Sequence, residues 1–242
     1  TLYYYCTSHS GMGADITGIT TNEKLADQYA SNCVLALPLV GANSDVSTSI
    51  ACTSTTKTIT SNGNAAASSE TSNLYAGSFK LDGTGDYITV TDSTELEPGT
   101  DDFCYEGWFR GANFTGAAYI LFDSTQGTGV YFYTTSKKLY LYLGSSQVAS
   151  TDCLQNDKWH HVAFVREGGT GKIFCDGILV GSGSKSDSVA GGNLVIGASV
   201  GGGNELNGYV QDVRVYNGVA KYTSNFVVPS RSPDILPDTP SG

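Results

Sequence analysis

Short runs of alternating apolar and polar residues fill the chain from Leu74 onward, with Tyr87–Val90 and Asp102–Arg110 as clear examples. Successive side chains of a strand point to opposite faces of a sheet, so this pattern predicts strands with one buried face. Gly, Asp and Asn separate the runs at intervals of about 8–12 residues, which is typical of a β-sandwich. No amphipathic helical pattern lies between the runs, which argues against a parallel sheet joined by crossover helices.

The same pattern predicts where the individual strands lie. Cys33–Val40 is a further apolar run, and Pro38 within it favours an edge strand or a bulge, since proline cannot donate to a ladder. Trp108 and Trp159 fall in apolar runs, and we expect both to anchor the core. The strands predicted after Leu74 are Ser78–Leu81, Tyr87–Val90, Asp102–Arg110, Tyr119–Phe122, Val130–Tyr133, Leu139–Leu143, Trp159–Arg166, Lys172–Cys175, Ile178–Val180, Asn193–Gly197 and Asn207–Tyr216.

Three segments differ in their patterning. Residues 1–32 show no sustained period and predict an irregular leader, within which the polar stretch Asn22–Gln28 suits one or two helical turns. Residues 33–232 carry the strand pattern and predict a single sandwich domain. Residues 233–242 are Pro-rich and predict a linker or tail. The chain begins without Met and without a signal-peptide pattern, so we expect a processed product or a segment of a longer protein.

The polarity of the chain comes from hydroxyl groups more than from charges. Ser and Thr account for 53 of the 242 residues and only 15% are charged, a composition that suits strands and turns. The 13 basic and 23 acidic residues give a formal net charge of −10. This argues against nucleic-acid and anionic-membrane partners, which require a basic surface. No run of about 18 apolar residues occurs, so membrane insertion is not expected.

The cysteines fit neither a zinc site nor one obvious disulfide pattern. They contain no Cys-x-x-Cys pair and no adjacent His pattern, which argues against zinc. A core of this size does not need disulfides, which favours buried thiols, whereas an extracellular setting would allow disulfides. The sequence leaves both alternatives open for Cys6, Cys33, Cys52, Cys104, Cys153 and Cys175.

Five motifs occur in a fixed order: Leu81–Ile88, Phe103–Phe109, Trp159–Arg166, Phe174–Gly177 and Gly208–Tyr216. Together they resemble the laminin G-like domains of the concanavalin A-like lectin/glucanase superfamily, over roughly residues 33–232. The resemblance implies an all-β fold, a two-sheet antiparallel β-sandwich of the jelly-roll type. Asn217–Phe226 is similar to a subgroup common in bacteriophage virion and tail proteins, which implies a virion or extracellular location. The fold says little about activity, because it carries lectins, adhesins, spacers and hydrolases.

We predict that the protein is not an enzyme. Glycoside hydrolysis needs two carboxylates on one surface, and hydrolases of the resembled fold carry them as Glu-x-Asp-x-x-Glu along one strand. That pattern is absent, since Glu95–Glu97 lies in a loop and Asp101 and Asp102 are adjacent. His160 and His161 are also adjacent, so in a strand they face apart and form no joint site.

A predicted hairpin provides the main candidate binding surface. Val130–Tyr133 and Leu139–Leu143 flank a polar turn, in a register that buries Val130, Phe132 and the three leucines. Aromatic rings beside amide or carboxylate groups are typical of sugar sites, while an aromatic ladder that stabilises the sheet is the alternative. The register leaves four tyrosines on the other face, and two rim loops add one Asn each: Tyr131, Tyr133, Tyr140, Tyr142, Asn113 and Asn204.

These features predict an adhesion module that binds a cell-surface glycan weakly and acts in several copies, so that avidity compensates for low affinity. No cofactor is required for that function. The alternative is a structural decoration or spacer domain, whose tyrosines contact neighbouring virion subunits without a small ligand. In either setting we expect a homo-oligomer or a place in a larger assembly.

A structural calcium site is the one metal site that the resemblance implies. In several relatives an Asp at the start of the last strand joins ligands from the loop after the first strand, and Asp212 resembles that Asp. The loop after Val40 would supply Asn43 and Asp45 as oxygen ligands. Val40 itself stands where an acidic ligand often lies, and Asp212 would instead be able to pair with Arg214. A calcium ion here would stabilise the fold and would not catalyse a reaction.

Overall fold

The computed structural model describes residues 2–5, 13–16, 27–41, 43–47, 54–74, 77–124, 129–144 and 146–228, the first two ranges by their backbone alone. Nearly all regular structure in these ranges is antiparallel strand, arranged in two large sheets, which confirms the predicted β-sandwich. No helix in the described ranges is long and apolar enough to cross a membrane.

The described ranges contain seventeen strands, and most lie where the alternating pattern predicts them. In chain order they are β1 (Leu2–Tyr5), β2 (Gly13–Ile16), β3 (Cys33–Leu37), β4 (Ile59–Asn62), β5 (Ala66–Ser68), β6 (Ser78–Asp82), β7 (Tyr87–Val90), β8 (Phe103–Gly111), β9 (Tyr119–Asp123), β10 (Tyr131–Thr135), β11 (Lys138–Leu143), β12 (Ser146–Ala149), β13 (His160–Glu167), β14 (Thr170–Cys175), β15 (Ile178–Ser184), β16 (Leu194–Ile196) and β17 (Asn207–Asn217).

The strand order shows how distant segments become neighbours. One sheet has the order β12-β11-β10-β9-β16-β7-β4, and the other has the order β15-β14-β13-β8-β17-β6-β5. Strand β3 joins the second sheet by pairing with β17. No other pairing of β3 occurs in the described part of the chain, so it is an edge strand, as Pro38 predicts.

The core between the sheets is built from the inward side chains of both. Its centre is aromatic: Phe132 of β10 stacks on Phe164 of β13 with centroids 4.4 Å apart, and Tyr105 meets Phe122 and Phe132 edge to face. These geometries are the ones that aromatic pairs prefer. The fully buried aromatic side chains include Phe103, Tyr105, Phe109, Phe114, Phe122, Phe132, Phe164 and Phe174.

A second cluster covers the outer surface of the β15-to-β5 sheet, which we call the sealed face. Outward side chains of β3, β8, β13, β14 and β17 pack there against residues 27–29 and 219–226. Tyr222 and Phe226 stack on each other at 3.5 Å over Phe174. The members of the cluster are Cys33, Ala36, Cys104, Ala163, Val165, Phe174, Tyr216 and Ala220, with Tyr29, Val46, Val219, Tyr222 and Phe226 packed on them.

The N-terminal segment differs from the irregular leader that we predicted for residues 1–32. Within it, β1 pairs with β2 in an antiparallel ribbon, and Ala30–Asn32 forms a 3₁₀ turn. Asp27 and Tyr29 contribute to the sealed face, so the sandwich begins before residue 33. Asp27 and Tyr29 contact residues far along the chain, and local patterning cannot show such contacts. Most of Asn22–Gln28 and all of 233–242 lie outside the described residues.

The prediction that both tryptophans are core residues holds for the burial of Trp108 and is wrong for Trp159. Trp108 is 8% exposed, yet its ring lies on the sealed face, 5.3 Å from the His161 ring. Trp159 is half-buried and lies in the loop before β13. The apolar neighbourhood of Trp108 did not show that it lies on the outer face of this sheet, which is also buried, and Trp159 lies just before the strand begins.

Candidate functional site

The β10–β11 hairpin has the predicted register. Tyr131 lies opposite Tyr142 and Tyr133 lies opposite Tyr140. The turn residues Ser136 and Lys137 have φ values of 52° and 66°, which are the left-handed conformations of a tight hairpin turn. The inward residues of both strands are fully buried: Val130, Phe132, Leu139, Leu141 and Leu143.

Burial of that apolar set directs four half-buried tyrosines outward, and Tyr131, Tyr133, Tyr140 and Tyr142 form what we call the tyrosine face. Tyr133 and Tyr140 stack at 4.7 Å with an interplanar angle of 6°. The ring centroids of Tyr131 and Tyr133 lie 5.2 Å apart, and Tyr131 meets Tyr142 edge to face with centroids 6.2 Å apart. The rings therefore support one another as a ladder, and burial raises the pKa of Tyr131 and of Tyr133.

Edge strand β12 borders the tyrosine face and leaves a slot beside it. Ala149 lies opposite Tyr140, and Gln147 lies opposite Tyr142. Since Tyr133 covers one side of the Tyr140 ring, the other side points toward β12, where exposed Ala149 fills little space. The Tyr133 hydroxyl donates to Gln147 Oε1 at 2.7 Å, which holds this amide at the margin of the rings. An aromatic surface beside an amide over a small floor suits a flat ligand with polar edges.

Our sequence reasoning missed Gln147 and Ala149, because we assigned no strand to Ser146–Ala149. That segment offers a single buried side chain, Val148, so its alternation is too short to recognise. Its position beside β11 depends on antiparallel pairing in a register that places Tyr140 opposite Ala149 and Leu143 opposite Ser146. The local signal in the sequence was Gly144, because glycine readily adopts the positive φ of a chain reversal. Its φ in the structure is 60°.

A buried carboxylate lies beneath the other margin of the tyrosine face. Asp123 ends β9 opposite Tyr131 and is 0% exposed. Its Oδ2 accepts from the Val200 amide at 2.7 Å, while Oδ1 has no hydrogen-bond partner among the residues that the structure describes. Burial raises the pKa of the Asp123 carboxyl despite that amide. A ligand on the rings does not reach Asp123 directly, but the charge of this residue acts on Tyr131.

The two predicted rim residues lie at separate places. Asn113 is in the loop after β8, where its Oδ1 accepts from the Gly116 amide at 2.9 Å. That loop adjoins the tip of the hairpin, because the Lys137 amide donates to the Phe114 carbonyl. Asn204 lies in the 201–205 loop, and its carbonyl accepts from the Ile120 amide at 3.0 Å. Neither side chain has a direct contact with the tyrosine face in the described structure.

The three predicted calcium ligands are engaged by protein donors. Asp45 accepts amide hydrogen bonds on both oxygens, at 2.9 Å from Ser47 and 2.9 Å from Lys57. Asp212 forms a bidentate pair with the Arg214 guanidinium at 2.8 and 2.6 Å, the alternative that the sequence left open. The third residue, Asn43, donates to Ser61 at 2.7 Å. These donor sets do not fit a calcium ion shared by the three residues, and calcium dependence stays a prediction.

The sealed face holds a charged cluster that sequence reasoning did not find. Lys221 Nζ lies 2.6 Å from Glu106 Oε1, 3.2 Å from Asp27 Oδ2 and 2.7 Å from the Tyr216 hydroxyl. His161 Nε2 lies 3.4 Å from Glu106 Oε2. Burial opposes ionisation, but the Lys221 charge and His161 hold the pKa of the Glu106 carboxyl well below its usual range.

This cluster adjoins a depression of about 570 Å³, lined in part by Asp27, Tyr29, Lys221, Tyr222 and Phe226. The Lys221 ammonium is only 8% exposed and already has anionic partners, so it offers little to a ligand. The Tyr222 and Phe226 rings face each other. Because each of these rings covers one side of the other, the depression offers a weaker stacking surface than the tyrosine face does. Its exposed amide side chains are those of Gln28 and Asn225, and Asn225 accepts from the Leu179 amide.

Two of the carboxylates that we weighed for hydrolysis, Glu95 and Asp102, have structural partners. Glu95 pairs with Lys57 and accepts from the Thr55 amide. Asp102 accepts from the Gly168 amide at 2.8 Å. Among the described residues, these groups therefore support loops.

Residues 82–221 match a family model described as the Concanavalin A-like lectin/glucanases superfamily. No curated protein matched the chain. Among solved structures, the botulinum neurotoxin serotype C1 binding domain is similar, with a TM-score of 0.61 and 14% identity over 80% of this chain and 50% of that one. The binding domain of botulinum neurotoxin DC is similar in its complex with SialylT (TM-score 0.60, 15% identity, 79% and 49% covered) and with rat synaptotagmin II (0.60, 14%, 80% and 50%). The chain spans about half the length of these structures.

Proposed function

Because the chain belongs to the concanavalin A-like lectin/glucanase superfamily, we propose that it is a non-enzymatic module that binds carbohydrate through the tyrosine face. The observation that carries the proposal is the slot formed by the uncovered side of Tyr140, the small floor of Ala149 and the amide of Gln147. The apolar C–H face of a sugar ring would lie on Tyr140. Its hydroxyl groups would then reach Gln147 and the tyrosine hydroxyls.

The slot is shallow, and this shapes the expected affinity. A ligand that contacts one ring and one amide gains little beyond the cost of association, so a single site binds weakly. Display in several copies, on a virion or another extracellular surface, would raise the avidity by orders of magnitude. One botulinum neurotoxin relative was described with SialylT, and another in relation to two ganglioside molecules. Those ligands belong to those proteins and support carbohydrate as the class to test first.

The test is a glycan array probed with the domain as a multimer, with and without calcium, followed by titration of any hit. Tyr140→Ala and Ala149→Leu should each weaken binding about tenfold or more, since the first removes the stacking surface and the second fills the slot. Tyr87→Ala is the matched control, because Tyr87 lies outward on β7 of the same sheet, with β9 and β16 between β7 and β10. It should leave binding unchanged.

Other outcomes would contradict the proposal in different ways. Binding that survives Tyr140→Ala but is lost in Asn225→Ala would place the site in the depression on the sealed face. Binding that requires calcium and ignores the tyrosine variants would move it to the loops. If the folded, multimeric protein bound no glycan on a broad array, that result would favour a structural role.

One observation favours that structural alternative, a decoration or spacer domain that contacts other subunits. Ile178, Leu179 and Val227 are 52%, 38% and 93% exposed, and they lie close together where the 226–228 segment crosses Gly177. Exposed apolar patches commonly mark protein interfaces. The test is the oligomeric state by light scattering for the native chain and for Ile178→Ser with Val227→Ser. A native oligomer that dissociates in the double variant would support this alternative, and a monomeric native chain would remove its basis.

A further inference from the structure

Two cysteines meet beside the turn of the β10–β11 hairpin, where the Cys153 amide donates to the Lys137 carbonyl at 3.0 Å. Cys175 ends β14 and is 3% exposed, and its Sγ lies 3.8 Å from the Cys153 carbonyl oxygen. Cys153 is in the loop between β12 and β13, where its Sγ lies 3.7 Å from Ser150 Oγ. Each of the two thiols is close enough to the other to shift its pKa. Cys104, Cys153 and Cys175 carry no disulfide in the described structure.

The two thiols differ in their access to small molecules. Cys153 is half-buried and lines a cavity of about 350 Å³, together with Thr115, Lys137 and residues 152–156. Cys175 lies behind it, on the inner side of the sheet. A reagent in the cavity therefore reaches Cys153 first, and Cys175 is placed to react with whatever forms on Cys153.

The neighbouring polar groups argue against a metal ion at this place. His160 Nδ1, Cys175 Sγ and Asp176 Oδ2 lie within 4.8 Å of one another, as metal ligands would. However, the Gln155 amide donates to His160 Nε2 at 2.9 Å, so that nitrogen must be the acceptor. The ring proton is then on Nδ1, which lies 2.8 Å from Asp176 Oδ2 and donates to it. A protonated Nδ1 has no lone pair for a metal, which leaves the dithiol as the reactive unit.

We propose that Cys153 and Cys175 form a redox-active dithiol, which low-molecular-weight disulfides convert to a Cys153–Cys175 disulfide. Cys153 would be the attacking thiol and Cys175 the resolving one. The neighbouring Cys175 thiol lowers the pKa of the Cys153 thiol, while Cys153, together with burial, raises the pKa of the Cys175 thiol. This arrangement is independent of carbohydrate binding.

The exchange balances in two steps. The Cys153 thiolate attacks one sulfur of glutathione disulfide, whose S–S bond breaks, and one glutathione thiolate leaves. Cys175 then gives its proton to solvent by way of the exposed carboxylate of Asp176, 4.0 Å away, and its sulfur attacks Sγ of Cys153. The second glutathione thiolate leaves. The protein loses two electrons and two protons in total, and the glutathione disulfide gains them.

The product would fasten the 150–159 loop to the end of β14. The bond closes a loop across a sequence separation of 22 residues, which includes β13. Loop closure of that length restricts the unfolded chain, so we expect the oxidised protein to melt roughly 5–10 °C higher than the reduced one.

The experiment incubates the intact native protein with glutathione disulfide, quenches with an alkylating agent and maps the peptides by mass spectrometry. The expected product is a Cys153–Cys175 cross-link that a reductant reverses, with the gain in melting temperature. Cys104 is the internal control, since it is fully buried and burial raises its pKa well above the usual thiol value. Its peptide should stay reduced under the same conditions.

Two variants separate the roles. Cys175→Ser should stop at a mixed disulfide between Cys153 and glutathione, while Cys153→Ser should leave Cys175 unmodified. Cys153 is only half-buried, so Cys153→Ser keeps the test valid if the buried variant fails to fold. Equal alkylation of both cysteines before and after oxidation would overturn the proposal. A disulfide from Cys153 to Cys6 or Cys52 would overturn it as well.

Discussion

The two outer surfaces of this sandwich are used in opposite ways. On the sealed face, a layer formed by residues 27–29 and 219–226 covers Glu106 and supplies Lys221 and Asp27 to the same charged cluster. The tyrosine face has no layer over it in the described structure and consists of rings, hydroxyls and one amide. Charges withdrawn from water must be paired, so the sealed face is specified by its own partners. The tyrosine face holds uncharged groups that tolerate both water and a ligand, which is why we place binding there.

The largest effect should come from removing the charge at the centre of the sealed face. Lys221→Met leaves Glu106 buried without its main partner, and we expect a loss of about 3 kcal/mol in unfolding free energy at pH 7. The depressed pKa of Glu106 means that its pairing stabilises the fold above the ordinary value of 4.5 and less as pH falls below it. The difference in unfolding free energy between Lys221→Met and the native protein should therefore become smaller in acid.

Denaturant titrations at several pH values measure this. Lys80→Met is the matched control, because Lys80 forms a surface pair with Glu70 and is 43% exposed. It should change stability little. A Lys221→Met protein as stable as the control would mean that the sealed face is not held by its ion pairs.

Aromatic truncation should affect the two faces differently. Phe226→Ala removes the ring stacked on Tyr222 and packed near Phe174 and His161, and we expect it to cost about 2–3 kcal/mol. Tyr140→Ala removes one ring of the exposed tyrosine ladder and should cost about 1 kcal/mol, while it weakens the proposed binding about tenfold or more. Thermal unfolding of both variants gives the comparison. Equal losses would show that the tyrosine face is as structural as the sealed one.

The next prediction concerns the cost in stability of the buried Asp123 charge beneath the tyrosine face. Its pKa is raised, so its ionisation costs stability as pH rises from the unfolded value of 3.8 toward the folded one. Asp123→Asn keeps an acceptor for Val200 without the charge, and we expect it to stabilise the protein by about 1 kcal/mol at pH 7. The gain should vanish below pH 3.8. A loss of stability at pH 7 would show that the buried charge has a partner that favours it.

Calcium should have the smallest effect. The Asp45 and Asp212 oxygens already accept hydrogen bonds from protein donors, so we expect millimolar calcium to shift the melting temperature by less than about 1 °C relative to a chelator. Differential scanning fluorimetry measures the shift, with magnesium as the control cation. A specific rise of several degrees with calcium, absent in Asp212→Asn, would restore the predicted site.

Much of the fold was predictable because alternation is a local property. Phe132 and Leu141 face inward in a hairpin whatever surrounds it, so the outward direction of Tyr131 and Tyr142 followed from the chain itself. The candidate slot was not predictable, since β12 has a single buried residue and becomes a strand only by pairing with β11. The side of the sheet on which Trp108 lies was not predictable, because the pattern shows burial without showing which side of a sheet is buried.

The sequence by itself determined the strands, their alternation, the hairpin register and the acidic, hydroxyl-rich surface, since each depends on neighbours within a few residues. Only the tertiary structure decided what meets across long separations. It placed Lys221 against Glu106, Cys175 against Cys153, and Ala149 beside the Tyr140 ring. The physical reason is that strand order and the packing of one layer on another set these contacts, and many orders are compatible with one alternating pattern.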